Sequence, residues 1–217
     1  MNDFNLLASS PMSGPYDLVT SVFIDPNKKE GDWVLFMYMI KSFQDVYQMR
    51  SSISEIFVAP WDSLVPVYFD GYTKYGNIRK TLPLDIEQIF RKDFMAHEFF
   101  TENSTFRKIL NENSVYDFVP KVPTQLCYCE DDEVVPYKNS ENAYNWMKKN
   151  GAKKLKIKNA GTNLDHEECA IFTVIYTKFF FDKYRGVKKS NFKNDISNVA
   201  LSIAKTAKKL FPKIKLF

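Results

Sequence analysis

The chain has 217 residues, 45% of them hydrophobic and 16% aromatic, with a formal net charge of +4, so it can close a sizeable core in one domain or one and a half. Its longest apolar run, Trp33 to Ile40 (WVLFMYMI), is far short of the roughly 20 residues a spanning helix needs and reads as a buried or lid helix. The first residues, MNDFNLLASSPMSGPYD, show neither a basic start nor an apolar run of signal length, and three cysteines, an odd and small number, argue against a disulfide scaffold, so the expected place is a reducing, cytoplasmic one.

In chain order, Asn5 to Ala8 (NLLA) reads as a short buried strand that ends in a loop rich in Ser, Pro and Gly, so residues 1–15 supply a first sheet strand. Residues 16–118 hold most of the aromatics. They show helical periodicity near 31–50, 51–58, 61–76, 83–97 and 103–112, punctuated by Pro60, Pro66 and Pro83, and read as a mostly helical insertion.

Residues 119–184 alternate strand and helix. Thr124 to Cys129 (TQLCYC) is a buried strand, Asn139 to Asn150 a helix closed by Gly151, Lys153 to Lys158 a strand nearer the sheet edge, and Glu167 to Tyr184 a strongly apolar helix. The order implies an α/β fold with a parallel sheet.

Residues 185–217 hold nine Lys or Arg against one Asp, a net of +8 that leaves −4 for the rest. Ile196, Val199, Ile203, Ala207 and Leu210 recur at helical spacing. Such a basic amphipathic helix either docks on the body, the favoured reading, or makes weak contact with an anionic membrane surface. With basic residues confined to this tail and no recognition module in view, nucleic acid is not an expected partner.

Parallel sheets collect functional groups at the carboxyl ends of their strands. Asp132, in CEDDEVVPY, follows the first strand of the α/β part, and His166, in NLDHEEC, follows the next. Acid and then histidine, separated by a helix and a strand, is the order found in an α/β-hydrolase triad. A loop or helix-cap role for Asp132, and a satisfied loop role for His166, are the plainer readings. His97, in a helical stretch, reads as a surface or cap residue.

No G-x-S-x-G is present. Ser9, Ser10 and Ser13 precede the acid and histidine, yet none has small residues two positions to either side, as a strained nucleophile turn requires. A rival reading takes Cys127, Cys129, His166 and Cys169 as zinc ligands, although the spacing is unorthodox.

The run from Asn113 to Pro123 (NSVYDFVPKVP), then TQLCYCEDDEVVPYKNSENAYNWMKKNGAKKLKIK and the downstream histidine, resembles the C-terminal portion of bacterial lipase- and esterase-like α/β-hydrolases. D-x-V-V-P-x-x-N-S, from Asp132 to Ser140, is the most specific piece, and the likeness runs over about residues 5–183. Cys129 stands where that family usually has glycine.

The resemblance implies a partial α/β-hydrolase fold of about three parallel strands, with residues 16–118 as the helical cap. Asp132 and His166 would be catalytic as acid and base, and neither cofactor nor metal is implied. The complete enzyme would take a small apolar ester or lipid-like substrate, and complete family members can be secreted. Without the nucleophile half, the chain is expected to be inactive alone, and to pair with a separately encoded N-terminal half or self-associate through an exposed strand edge. The alternative is a non-catalytic remnant or binding module that holds an apolar ligand or partner through the cap.

Overall fold

The structure, a computed structural model, describes residues 5–22, 33–50, 52–83, 85–99 and 101–185. The expected tail helix around 196–210 lies outside the described residues. Two compact units are formed, Asp17–Ser114 and Met1–Tyr16 with Val115–Phe217.

The first unit is helical: α1 (Leu18–Val22), α2 (Trp33–Tyr47), α3 (Trp61–Tyr68), α4 (Tyr75–Arg79), α5 (Lys92–Glu98) and α6 (Thr105–Asn113), with single 3-10 turns at Ile53–Glu55 and Ile86–Gln88. In α2, Val34, Met37 and Ile40 are buried at helical spacing. Phe36 meets Phe90 and Phe99 edge-on, each with ring centroids 5.4 Å apart, within a core that also holds Phe57, Phe94 and Phe106.

Several expected helices are shorter than their periodicity suggests. The one over 61–76 breaks because the Asp70 carboxylate takes the N–H groups of Tyr72 and Thr73 and Gly71 turns at φ 84°. Those over 51–58 and 83–97 break against each other. Val58 N–H donates to Ile89 O (3.0 Å) and Arg91 N–H to Ile56 O (2.9 Å), forming an antiparallel bridge at Phe57 and Phe90.

Glu98, 1% exposed, ties α5 to α6. Its carboxylate accepts the Phe106 N–H at 2.9 Å and pairs with Arg50 at 2.7 Å.

The second unit contains β1 (Thr124–Tyr128), α7 (Lys138–Lys149), β2 (Leu155–Asn159) and α8 (His166–Asp182). β1 and β2 pair in parallel from Thr124↔Leu155 to Tyr128↔Asn159. Leu126, Ala143, Met147 and Leu155 form the core between sheet and helix, and Gly151 turns the chain at φ 97° after α7.

The first strand corrects the expectation in detail. Leu6 and Leu7 are 64% and 55% exposed, so NLLA is not a buried strand. Pairing comes later and on the other edge of β1, as two parallel bridges, Ser9↔Thr124 and Met12↔Cys127. The ladder is interrupted because Pro11 sits between the Ser9 and Ser13 N–H donors and has no N–H of its own.

The cysteine expectation is also corrected. Cys129 and Cys169 form a disulfide, and Cys127 remains a free, buried thiol. No described helix is long and apolar enough to cross a membrane.

Candidate active site

β1 and β2 run parallel, so the loops after Tyr128 and Asn159 emerge side by side. Four consecutive acidic residues of the first loop fasten it to the second strand and its loop. Glu130 donates its N–H to Gly161 O at 3.2 Å and accepts from Asn159 Nδ2 at 2.9 Å. The Asp131 carboxylate takes the Asn163 N–H at 2.6 Å, and that of Glu133 takes the His166 N–H at 2.9 Å.

Asp132 supplies the remaining link. His166 Nδ1 lies 2.9 Å from each of its carboxylate oxygens, so the ring N–H donates to the carboxylate and Nε2 is left as the ring's basic nitrogen. Asp132 is 5% exposed, and its Oδ1 also accepts the N–H groups of Val134 (3.1 Å) and Val135 (2.8 Å). The loop-capping role and the histidine-orienting role therefore fall on one side chain.

His166 is the first residue of α8 rather than a loop residue. Asp165 caps the helix, accepting the Glu168 N–H at 2.8 Å, and Glu168 reaches back to the Asp165 N–H at 3.3 Å. The imidazole is 38% exposed, and its Nε2 makes no hydrogen bond among the described residues.

The pair polarises itself. The Asp132 hydrogen bond raises the His166 pKa above the ordinary imidazole value; partial burial opposes this, and the charges of Asp132, Glu133 and Asp165 add to it. Burial pushes the Asp132 carboxyl up, but the hydrogen bonds from His166 and Val135, the His166 charge and the Ser13 hydroxyl together bring it below the ordinary carboxylate value.

The candidate serines contact groups other than the His166 ring. Ser10 Oγ is 2.9 Å from Thr177 Oγ1, and Ser13 Oγ is 3.4 Å from Cys169 Sγ. Among the described residues, none of Ser9, Ser10 and Ser13 hydrogen-bonds the His166 ring. The zinc reading fails because the Cys129–Cys169 bond consumes two of its four ligands.

His97 lies in the helical unit with Nδ1 3.0 Å from Glu98 Oε1. Two open cavities of about 450 and 520 Å³ in that unit are lined by residues such as Gln44 and Arg50, and Trp61 and Leu82, and neither includes Asp132 or His166. Sequence reasoning missed Ser13, Glu133 and the disulfide as supports of the pair; the even placement of Cys129 and Cys169, three residues from Asp132 and His166 respectively, was the available signal.

A buried carboxylate that holds an imidazole by Nδ1, with Nε2 accessible, can orient a general base and stabilise the imidazolium formed when it takes a proton. The fold that carries this pair is that of the lipase- and esterase-like α/β-hydrolases.

Among solved structures, the chain is similar to a protein of Legionella pneumophila assigned as a hydrolase (28% identity, TM-score 0.74), covering 87% of this chain and 51% of that one. It is also similar to the rice cell wall degrading esterase LipA from Xanthomonas oryzae (25% identity, TM-score 0.69), covering 82% of this chain and 49% of the esterase. Candida antarctica lipase A, at 16% identity and TM-score 0.58, shares the fold. The chain thus spans about half the length of these proteins. No protein-family model and no curated protein matches it.

Proposed function

We propose that this chain supplies the acid, the base and the cap of a serine esterase or lipase, with Asp132 orienting His166 and His166 acting as general base and then general acid in acyl transfer. The observation that carries the reading is the bond from His166 Nδ1 to both oxygens of buried Asp132, with Nε2 left unpaired.

His166 Nε2 takes the proton of a serine hydroxyl as that oxygen attacks the ester carbonyl. The same proton then passes to the departing alcohol, and a water molecule repeats the sequence on the acyl-serine. The serine comes from outside this chain, so the chain alone is inactive. The helical unit Asp17–Ser114 takes the role of the cap, and the substrate class is an apolar ester.

The segment that delivers the serine pairs with the free edge of residues 8–12. Ser9, Pro11 and Ser13 direct backbone groups to β1, so strand alternation turns those of Ala8, Ser10 and Met12 the other way. Among the described residues, nothing takes those outward groups. A strand from a separately encoded half, or from a second copy, fits that edge. The Cys129–Cys169 disulfide favours an oxidising compartment over the cytoplasm.

The test uses a fluorophosphonate probe and a short-chain nitrophenyl ester on the purified chain and on a chimera in which it replaces the half it matches in the Xanthomonas esterase. No labelling or turnover by the chain alone, with His166-dependent turnover by the chimera, supports the reading. Labelling of a serine within this chain contradicts it, as does turnover by the chimera that survives His166→Ala.

A further inference from the structure

Asp132 and His166 are joined twice. The hydrogen bond is one link; the other is covalent, because Cys129 lies three residues before Asp132, Cys169 lies three residues after His166, and a disulfide joins the two with their Cα atoms 5.8 Å apart. On α8, residues 166 and 169 lie on one face, a single turn apart. Both cysteines are fully buried, so the covalent link lies beneath the half-exposed imidazole.

Ser13 completes the back of the site. Its backbone sits at φ 40°, and its N–H donates to Cys127 O at 2.8 Å. Its Oγ lies 3.4 Å from Cys169 Sγ, and its hydroxyl is one of the groups that hold the Asp132 carboxyl below the ordinary carboxylate value. A disulfide sulfur has no proton to give, so the hydroxyl is the donor in that contact and the sulfur a weak acceptor.

Elsewhere the two loops are held by hydrogen bonds that are largely exposed to water, those of Glu130, Asp131 and Glu133. Such bonds open readily. The disulfide is the one connection that cannot open without chemistry.

We infer that the Cys129–Cys169 disulfide is a positioning device for the Asp132–His166 pair: it fixes the distance between the carboxylate loop and the first turn of α8, and cutting it loosens the pair while the unit remains folded. Cutting requires a dithiol or phosphine reductant. With a dithiol, the sulfur–sulfur bond takes up two electrons and two protons to give two cysteine thiols, and the reagent becomes a cyclic disulfide. The inference rests on the geometry of the pair and holds whether or not the pair serves acyl transfer.

The chain has two histidines and three tryptophans, which makes the test a simple one. Proton NMR titration follows the imidazole resonances of the oxidised protein, the protein treated with dithiothreitol, and the Cys129→Ser/Cys169→Ser variant. The Trp146 indole N–H, from α7 and packed edge-on against Tyr116 with ring centroids 6.4 Å apart, reports the core of the sheet unit.

The groups that set the His166 titration are Asp132, Glu133 and Asp165. Loss of the disulfide is expected to shift the His166 titration down towards the ordinary imidazole value, with the Trp146 resonance unmoved. A His166 titration unchanged in both reduced forms overturns the inference. So does loss of the native Trp146 resonance in either form, because the bond would then hold the whole unit rather than the pair.

Discussion

Asp132 and His166, 34 residues apart in sequence, meet with Nδ1 2.9 Å from both carboxylate oxygens, while Oδ1 of the same carboxylate takes two backbone N–H groups of its own loop. One side chain therefore orders the loop and orients the base, and two substitutions separate these roles. Asp132→Asn keeps an oxygen for Val134 and Val135, and Asp132→Ala does not. The alanine variant is expected to lose about 1–3 kcal/mol of stability in urea unfolding and the asparagine variant clearly less, while both lower the His166 pKa in an NMR titration. Equal stability loss in the two variants would contradict the division.

Stability should depend on pH in a defined way. The folded pKa of His166 is raised, so its contribution is complete below the unfolded value of about 6.5 and fades as pH rises through the folded value. That of Asp132 is lowered, so its contribution is complete above about 3.9 and fades as pH falls through the folded value. The two overlap between about pH 4 and 6.5. The difference in melting temperature between wild type and His166→Ala is expected to be largest in that window and to shrink on both sides. A difference that grows from pH 6.5 to 9 would reverse the assigned sign.

Glu98 should matter more than its count of ion pairs suggests, since most of its effect is on a backbone group. Glu98→Ala strands the buried Phe106 N–H at the start of α6 and should cost about 1–3 kcal/mol, with Glu98→Gln recovering most of it. Phe106→Ala, in the aromatic core, should cost about 3–5 kcal/mol. Thermal unfolding of the purified variants checks both, and a Glu98→Gln variant as unstable as Glu98→Ala would point to charge rather than hydrogen bonding.

The free edge at residues 8–12 can be tested by removing a donor. Ala8→Pro deletes an outward N–H and leaves the Ser9, Pro11 and Ser13 contacts to β1 in place. Light scattering should show self-association, or pairing with a complementary half, weakened by tenfold or more, about 1.4 kcal/mol, with an unchanged melting temperature. Undiminished association would move the interface elsewhere.

Much of the sheet unit was legible because its signals are local. The apolar run of β1, the spacing of Ala143 and Met147 in α7 and the Gly151 stop each lie within a few residues of what they specify. That Asp132 and His166 would lie near each other was legible because both follow strands of one parallel sheet.

The misses are of another kind. The expected strand at Asn5 to Ala8 gave way to pairing that begins at Ser9, a register set by β1 rather than by the local apolar run, and the absent N–H of Pro11 then breaks that pairing into two bridges. The helix over 83–97 yields to a bridge between Phe57 and Phe90, a partner no local window contains. The disulfide joins cysteines 40 residues apart, and a cysteine count cannot reveal that two of three face each other.

The most direct test of the acid–base assignment is the ratio of kcat/KM for a short-chain ester between the chimera carrying this chain and its His166→Ala variant, with folding of both confirmed. The account predicts a loss of about 10³-fold or more, as expected when a base that activates a serine is removed. Values within about threefold of each other would show that His166 takes no part in proton transfer.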